Sequence, residues 1–114
     1  MADTFVNSRV TYGSVTLFVW DGCPCCRNAW ELLKGCVRPG HLQQISITGR
    51  EDVQAYLQRS TGQGTVPYVF IGNQYIGGLS ELQNMGAQLR PILQQMGVPL
   101  WNISKISDKA GFSG

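Results

Sequence analysis

Val15-Thr16-Leu17-Phe18-Val19-Trp20-Asp21-Gly22-Cys23-Pro24-Cys25-Cys26 is the stretch on which the fold turns, and it runs on into Arg27-Asn28-Ala29-Trp30-Glu31-Leu32-Leu33-Lys34. Val15 to Trp20 is a nearly continuous apolar and β-branched run, the pattern of a strand buried on both faces. Asp21-Gly22 ends it. Proline suits the first helical turn, where its fixed φ fits and its missing N–H costs nothing, so Pro24 opens a helix predicted over Pro24 to Lys34. That helix turns Ala29, Trp30, Leu32 and Leu33 toward a core, and Gly35 stops it.

Beyond Arg38-Pro39-Gly40, His41 to Ile47 reads as a second strand through Leu42, Ile45 and Ile47. A helix between two strands makes a βαβ unit, in which the strands run parallel. Glu51 to Arg59 predicts another helix, with acids in its first turn against the positive end of the dipole and Val53, Tyr56 and Leu57 on one face. Ser60 to Gly64 breaks it. Tyr68 to Ile71 and Gln74 to Ile76 flank Gly72-Asn73, a two-residue hairpin turn that makes the sheet mixed. From Leu79, apolar residues Leu82, Met85, Leu89, Ile92, Leu93 and Met96 recur at helical spacing, and Gly86 and Pro91 predict a break into two short helices. A helix around Asp3 to Val10 precedes the first strand. The expected organisation is one α/β domain over residues 1–103, a four-stranded mixed sheet flanked by helices on both faces, with a mobile tail at 104–114.

A chain of 114 residues suits a single domain and buries about two-thirds of its extended surface on folding, enough for one core without staples. Nine basic and seven acidic residues leave a net charge of +2, too small and too scattered for a nucleic-acid footprint. No apolar run approaches the ~20 residues of a membrane span, and Met1-Ala2-Asp3-Thr4 has neither the basic start nor the apolar core of a secretion signal. No nucleic-acid or membrane partner is expected, and the expectation is a cytoplasmic monomer.

Of the four cysteines, Cys23, Cys25 and Cys26 fall together and Cys36 follows. A disulfide scaffold spreads its cysteines to tie distant segments, so this clustering points to chemistry. Cys23 stands at the N-cap of the helix that begins at Pro24. A thiolate there faces unpaired N–H groups and the positive end of the helix dipole, which lowers its pKa from about 8.5 toward 3.5–7.5 and makes Cys23 a nucleophile. Cys26, one turn on, lies within disulfide reach of it. A Cys-x-x-Cys pair is also half of a zinc site, but the remaining candidates, Cys25, Cys36 and His41, have unusual spacing for one. No metal is expected. After the first strand of a βαβ unit, the pair reads as a thioredoxin-like redox motif.

The chain resembles the glutaredoxins, or thioltransferases, of vertebrate dithiol type, from about Phe5 to Val98. The carriers are Phe5-Val6-Asn7, Cys23-Pro24-x-Cys26-Arg27, Gln54-x-Tyr56-Leu57, Thr61-Gly62, Thr65-Val66-Pro67-x-Val69-Phe70-Ile71-Gly72 and Ile76-Gly77-Gly78-x-Ser80. The resemblance implies a thioredoxin-like fold and reduction of glutathionylated or disulfide-containing proteins, with glutathione as co-substrate. It implies a cis Pro67 that exposes the backbone of Val66, so that extended glutathione pairs with it as an added strand, beside Thr65. The Gly77-Gly78 stretch permits close approach, the helix after it offers N–H groups to the γ-glutamyl carboxylate, and Ser80 and Glu81 complete that end. Gln54 helps hold the glycine carboxylate. Cys23 and Cys26 form the redox-active pair.

The chain departs from the family pattern at three positions. Cys25 replaces the usual aromatic between the two cysteines; on a different helical face, it reads first as a bystander and more sharply as an alternative resolving thiol or glutathionylation site. Trp20, followed by Asp21, stands where the family carries a lysine that pairs with a glutathione carboxylate, and losing such a contact costs ~1.5–3 kcal/mol. Asp21 also puts a negative charge near Cys23, opposing the thiolate, so weaker glutathione binding and a less depressed Cys23 pKa than the family norm are expected. Glu81 replaces aspartate, keeping the charge on a longer arm, while Cys36 at the helix end reads as incidental. The rival readings are a thioredoxin-like protein disulfide reductase with little glutathione dependence and an iron–sulfur or zinc carrier.

Overall fold

All five residues of the first strand, β1 (Val15–Val19), are buried, as the unbroken apolar run requires of a central strand. Its one hydroxyl, on Thr16, is fully buried and accepts a hydrogen bond from Gln43 Nε2 at 3.0 Å. Gln43 lies on β2 (Leu42–Ser46), so a glutamine that weakens the strand pattern in sequence satisfies a buried oxygen in the fold. The computed structural model describes residues 2–101. The expected tail at 104–114 therefore lies outside the described residues.

In chain order α1 (Ala2–Arg9) precedes β1, α2 (Pro24–Lys34) crosses to β2, and α3 (Glu51–Thr61) leads to the hairpin β3 (Tyr68–Ile71) and β4 (Gln74–Gly77). Two short helices, α4 (Leu79–Met85) and α5 (Leu89–Gln95), follow. The sheet order is β2-β1-β3-β4. β1 and β2 run parallel from Val15↔Leu42 to Val19↔Ser46, while β1 pairs antiparallel with β3 and β3 with β4. Helices α1 and α3 pack together, as do α2 and α4. The architecture is the expected mixed four-stranded sheet with helices on both faces.

Two boundaries differ from the sequence reading for local reasons. Helix α3 continues to Thr61, because the Ser60 and Thr61 hydroxyls donate back to the Tyr56 and Leu57 carbonyls, and the break comes at left-handed Gly62. Pro91 does not break the second short helix. The interruption falls entirely at Gly86–Gln88, a 3-10 turn, and Pro91 occupies the first turn of α5, where no N–H is required.

The register places the C-terminal end of β1, the start of α2 and the turn before β3 at one edge of the sheet. Phe18 pairs with Tyr68, so the chain leaves β1 at the end where Val66-Pro67, whose peptide bond is cis, leads into β3. Cys25 on the first turn of α2 borders that turn. That edge carries the site.

Candidate active site

Cys23 is the N-cap of α2, with extended backbone angles, and the Cys26 N–H donates to its Sγ at 3.2 Å. The helix start thus points a backbone donor at the sulfur. Cys26 itself is only 3% exposed. Burial, and then the hydrogen bond shared with Cys23, pushes its thiol up to about 12. All four thiols are free: Cys23 is half-buried, Cys25 exposed, Cys26 buried and Cys36 half-buried.

Asp21 lines the same cleft as Cys23 and is held toward the end of β2. Its N–H donates to Thr48 Oγ1 at 2.8 Å, and its Oδ1 accepts from Ser46 Oγ at 3.0 Å. Trp20 is 40% exposed, and its indole N–H donates to Gln54 Oε1 at 3.1 Å. Gln54 Nε2 donates to the Tyr68 hydroxyl at 2.9 Å, which donates in turn to the Gln63 carbonyl at 2.8 Å. Because an indole can only donate, Gln54 must turn its oxygen to Trp20 and its amide nitrogen to Tyr68. One of the two amide hydrogens then remains for another acceptor. Gln54 is the centre of a relay; Tyr68 and Gln63 join it without any local signature in the sequence.

Gly77 has φ 145°, and a Cβ there would stand 2.5 Å from Glu81 Cγ. At Gly78 a Cβ would meet Gln63 Nε2 at 2.8 Å and the Pro67 carbonyl oxygen at 3.2 Å. The glycines therefore let the β4–α4 junction pack against the Val66-Pro67 turn. The Gly78 N–H donates to Glu81 Oε1 at 2.7 Å. The glutamate folds back on the N-cap of α4 and takes the Gly78 N–H, leaving the N–H groups of the α4 first turn apart from this bond.

Two clefts flank the first turn of α2. One, of about 230 Å³, is lined by Cys25, Thr65, Val66, Pro67, Ser80 and Glu81, together with Gln63 and Leu79. The other, of about 470 Å³, is lined by Trp20, Asp21, Cys23, Cys26, Arg27 and Trp30 among others. Cys36 is remote, past the C-terminal end of α2, where its carbonyl accepts the Trp101 N–H at 2.9 Å. Among the described residues, no group of three or more His, Cys, Asp or Glu side chains is placed to hold a metal ion.

A thiol at a helix N-cap beside a cis X-Pro turn on a β2-β1-β3-β4 sheet is matched at the level of sequence by the glutaredoxin family model, over residues 15–76. The chain belongs to the glutaredoxin family. Glutaredoxin-1 of Gallus gallus is 51% identical over 98 residues, covering 85% of this chain and 97% of that protein. Glutaredoxin-1 of Homo sapiens is 40% identical over 103 residues, with the same coverages of 85% and 97%. Among solved structures, a buckwheat glutaredoxin–glutathione complex superposes with a TM-score of 0.73 at 29% identity, covering 87% of this chain and 93% of that one. A wheat glutaredoxin gives 0.73 at 28% identity, covering 86% and 95%. The chain is thus a thiol-disulfide oxidoreductase of thioredoxin-like fold.

Within the glutaredoxin frame, the expected residues divide by location. Thr65, Val66, Pro67, Ser80 and Glu81 line one cleft, with Gly78 buried behind them. Cys23 and Cys26 open on the other, and Gln54 sits beyond Trp20 in a third recess of about 400 Å³ that Trp20 also borders.

Proposed function

We propose that this glutaredoxin uses glutathione to reduce protein–glutathione mixed disulfides and protein disulfides, with Cys23 as the nucleophile and Cys26 as the second thiol. The observation that carries the reading is the Cys26 N–H directed at Cys23 Sγ at the N-terminus of α2, the first turn of which borders the cis Val66-Pro67 turn through Cys25. Val66 itself is buried, not exposed as the resemblance implied. Cys23 thiolate attacks the glutathionyl sulfur, a Cys23–glutathione disulfide forms, the old disulfide breaks, and the protein thiolate leaves and takes a proton. A second glutathione thiolate then attacks the glutathionyl sulfur, releasing Cys23 thiolate and glutathione disulfide. In the dithiol route Cys26 thiolate attacks the Cys23 sulfur of a protein–Cys23 disulfide. The Cys23–Cys26 bond forms, the mixed disulfide breaks, and the protein thiolate leaves and takes the proton Cys26 released. Two glutathione molecules then reduce the bridge and leave as glutathione disulfide.

The glutathione backbone extends along Val66 as an added strand, with Thr65 beside it, Ser80 and Glu81 at its amino end and the free amide hydrogen of Gln54 for its glycine carboxylate. The buckwheat complex supports a glutathione site on this fold. Burial, and then the hydrogen bond with Cys23, holds the Cys26 thiol protonated in the reduced chain. Cys23→Ser should abolish turnover of a glutathionylated peptide, whereas Cys26→Ser should retain it. Loss in the second variant and not the first would reverse the roles.

A second reading, a protein disulfide reductase with weak glutathione dependence, is favoured by one observation: Gln54 is engaged by the neutral Trp20, where the family carries a lysine. Comparing glutathione-driven reduction of a glutathionylated peptide with thioredoxin-reductase-driven reduction of insulin separates the two. The proposed setting is the cytoplasm, where glutathione keeps the cycle running, and the proposed state is a monomer.

A further inference from the structure

Cys25 is the only cysteine lining the cleft formed by Thr65, Val66, Pro67, Ser80 and Glu81. Cys23 and Cys26 open on the neighbouring cleft. Cys25 is exposed, on the first turn of α2, while Cys26, the other candidate partner for Cys23, is buried and strongly protonated. A glutathione unit lying along Val66 therefore has the Cys25 thiol as one wall of its cleft.

We propose that Cys25 is a second acceptor of the glutathionyl group, and that its modification fills the cleft and halts the Cys23 cycle when glutathione disulfide accumulates. The proposal rests on the glutathione reading of that cleft. Cys25 thiolate attacks one sulfur of glutathione disulfide: a Cys25–glutathione disulfide forms and the original disulfide bond breaks. The other glutathione leaves as a thiolate and takes up the proton that Cys25 released. Cys25 is oxidised and the departing glutathione is reduced, with no other reactant. The attached tripeptide occupies the 230 Å³ cleft and excludes a second glutathione from Val66. Excess glutathione reverses the reaction, so the brake follows the glutathione redox balance.

Cys36, half-buried and remote, supplies the internal reference for a thiol without a cleft. The full chain and its Cys23→Ser variant are exposed to glutathione disulfide or to bis(2-hydroxyethyl) disulfide, which lacks the peptide, and adducts are mapped by mass over time. The expected result in both proteins is that the Cys25-to-Cys36 labelling ratio is at least about tenfold higher with glutathione disulfide, the effect of ~1.4 kcal/mol of site binding. In the Cys26→Ser background, where no Cys23–Cys26 bridge can form, preincubation with glutathione disulfide should slow the first turnovers, and adding Cys25→Ser should remove that slowing. An equal ratio for the two disulfides, or a Cys25 thiol left free in the Cys23→Ser variant, overturns the proposal. Those outcomes are separable from failure of the functional reading, which shows as absent turnover of a glutathionylated peptide or as turnover that survives Cys23→Ser.

Discussion

Cys23 and Cys26 are one helical turn apart, yet Cys23 is half-buried with an N–H at its sulfur and Cys26 is buried beneath it. With its thiol pushed up to about 12, Cys26 stays protonated at neutral pH. Alkylation by iodoacetamide near neutral pH should therefore modify Cys26 last of the four cysteines, as read by peptide mass over a time course. Early modification of Cys26 would contradict the burial argument. Trp20 makes a second residue-scale prediction. Trp20→Lys restores a cation at the Gln54 end of the cleft, and a charge-assisted contact of ~1.5–3 kcal/mol corresponds to a KM for glutathione about 10- to 100-fold lower with kcat little changed. An unchanged KM would place the glycine carboxylate elsewhere. The presence of Trp20 was plain in the sequence, but its partner was not, because a hydrogen bond spanning 34 residues leaves no local pattern.

At the scale of elements, β1 and α2 were fully legible, since a strand buried on both faces and a proline-opened helix each announce themselves within a few residues. The errors came where one residue has two uses. Pro91 breaks a helix interior and fits a first turn, and only the 3-10 turn at Gly86–Gln88 decides which applies. The paired glycines read equally as a turn or as a close-packed junction. The packing selects the second: Gly77 combines a positive φ with a Cβ position 2.6 Å from Glu81 Cβ. Gly77→Ala should cost about 1–3 kcal/mol in denaturant unfolding through overpacking and strain. Gly64→Ala, with open space around the added carbon, should be neutral or stabilise by up to about 1 kcal/mol. Equal destabilisation by both would mean that the junction has room.

For the whole molecule, three buried acids share one direction of shift. Desolvation raises Cys26 from its ordinary 9.0 and Tyr68 and Tyr75 from 10.0. Each is neutral when protonated, so the unfolded chain ionises first as pH rises. Their contribution is fully present below those ordinary values and is lost as pH climbs through the raised ones. Melting temperature should be flat near neutral pH and fall above about 9, with a shallower fall in Cys26→Ala. A rise in stability over that range would contradict the assignment. The fold was readable because each strand and helix buries a face that its own sequence encodes. Local motifs such as Cys23 to Cys26 and Thr65 to Pro67 stand out in the sequence, whereas the hydrogen-bonded relay of Trp20, Gln54 and Tyr68, which joins the end of β1 to α3 and β3, leaves no local pattern.

The central claim is that Cys23 takes the glutathionyl group directly. The measurement is a quenched single turnover of Cys26→Ser with a stoichiometric glutathionylated peptide, followed by mass mapping of all four cysteines. The account predicts that the first adduct is glutathione on Cys23, formed as the free peptide thiol appears. A first adduct on any other cysteine, or the peptide rather than glutathione attached to Cys23, would contradict it.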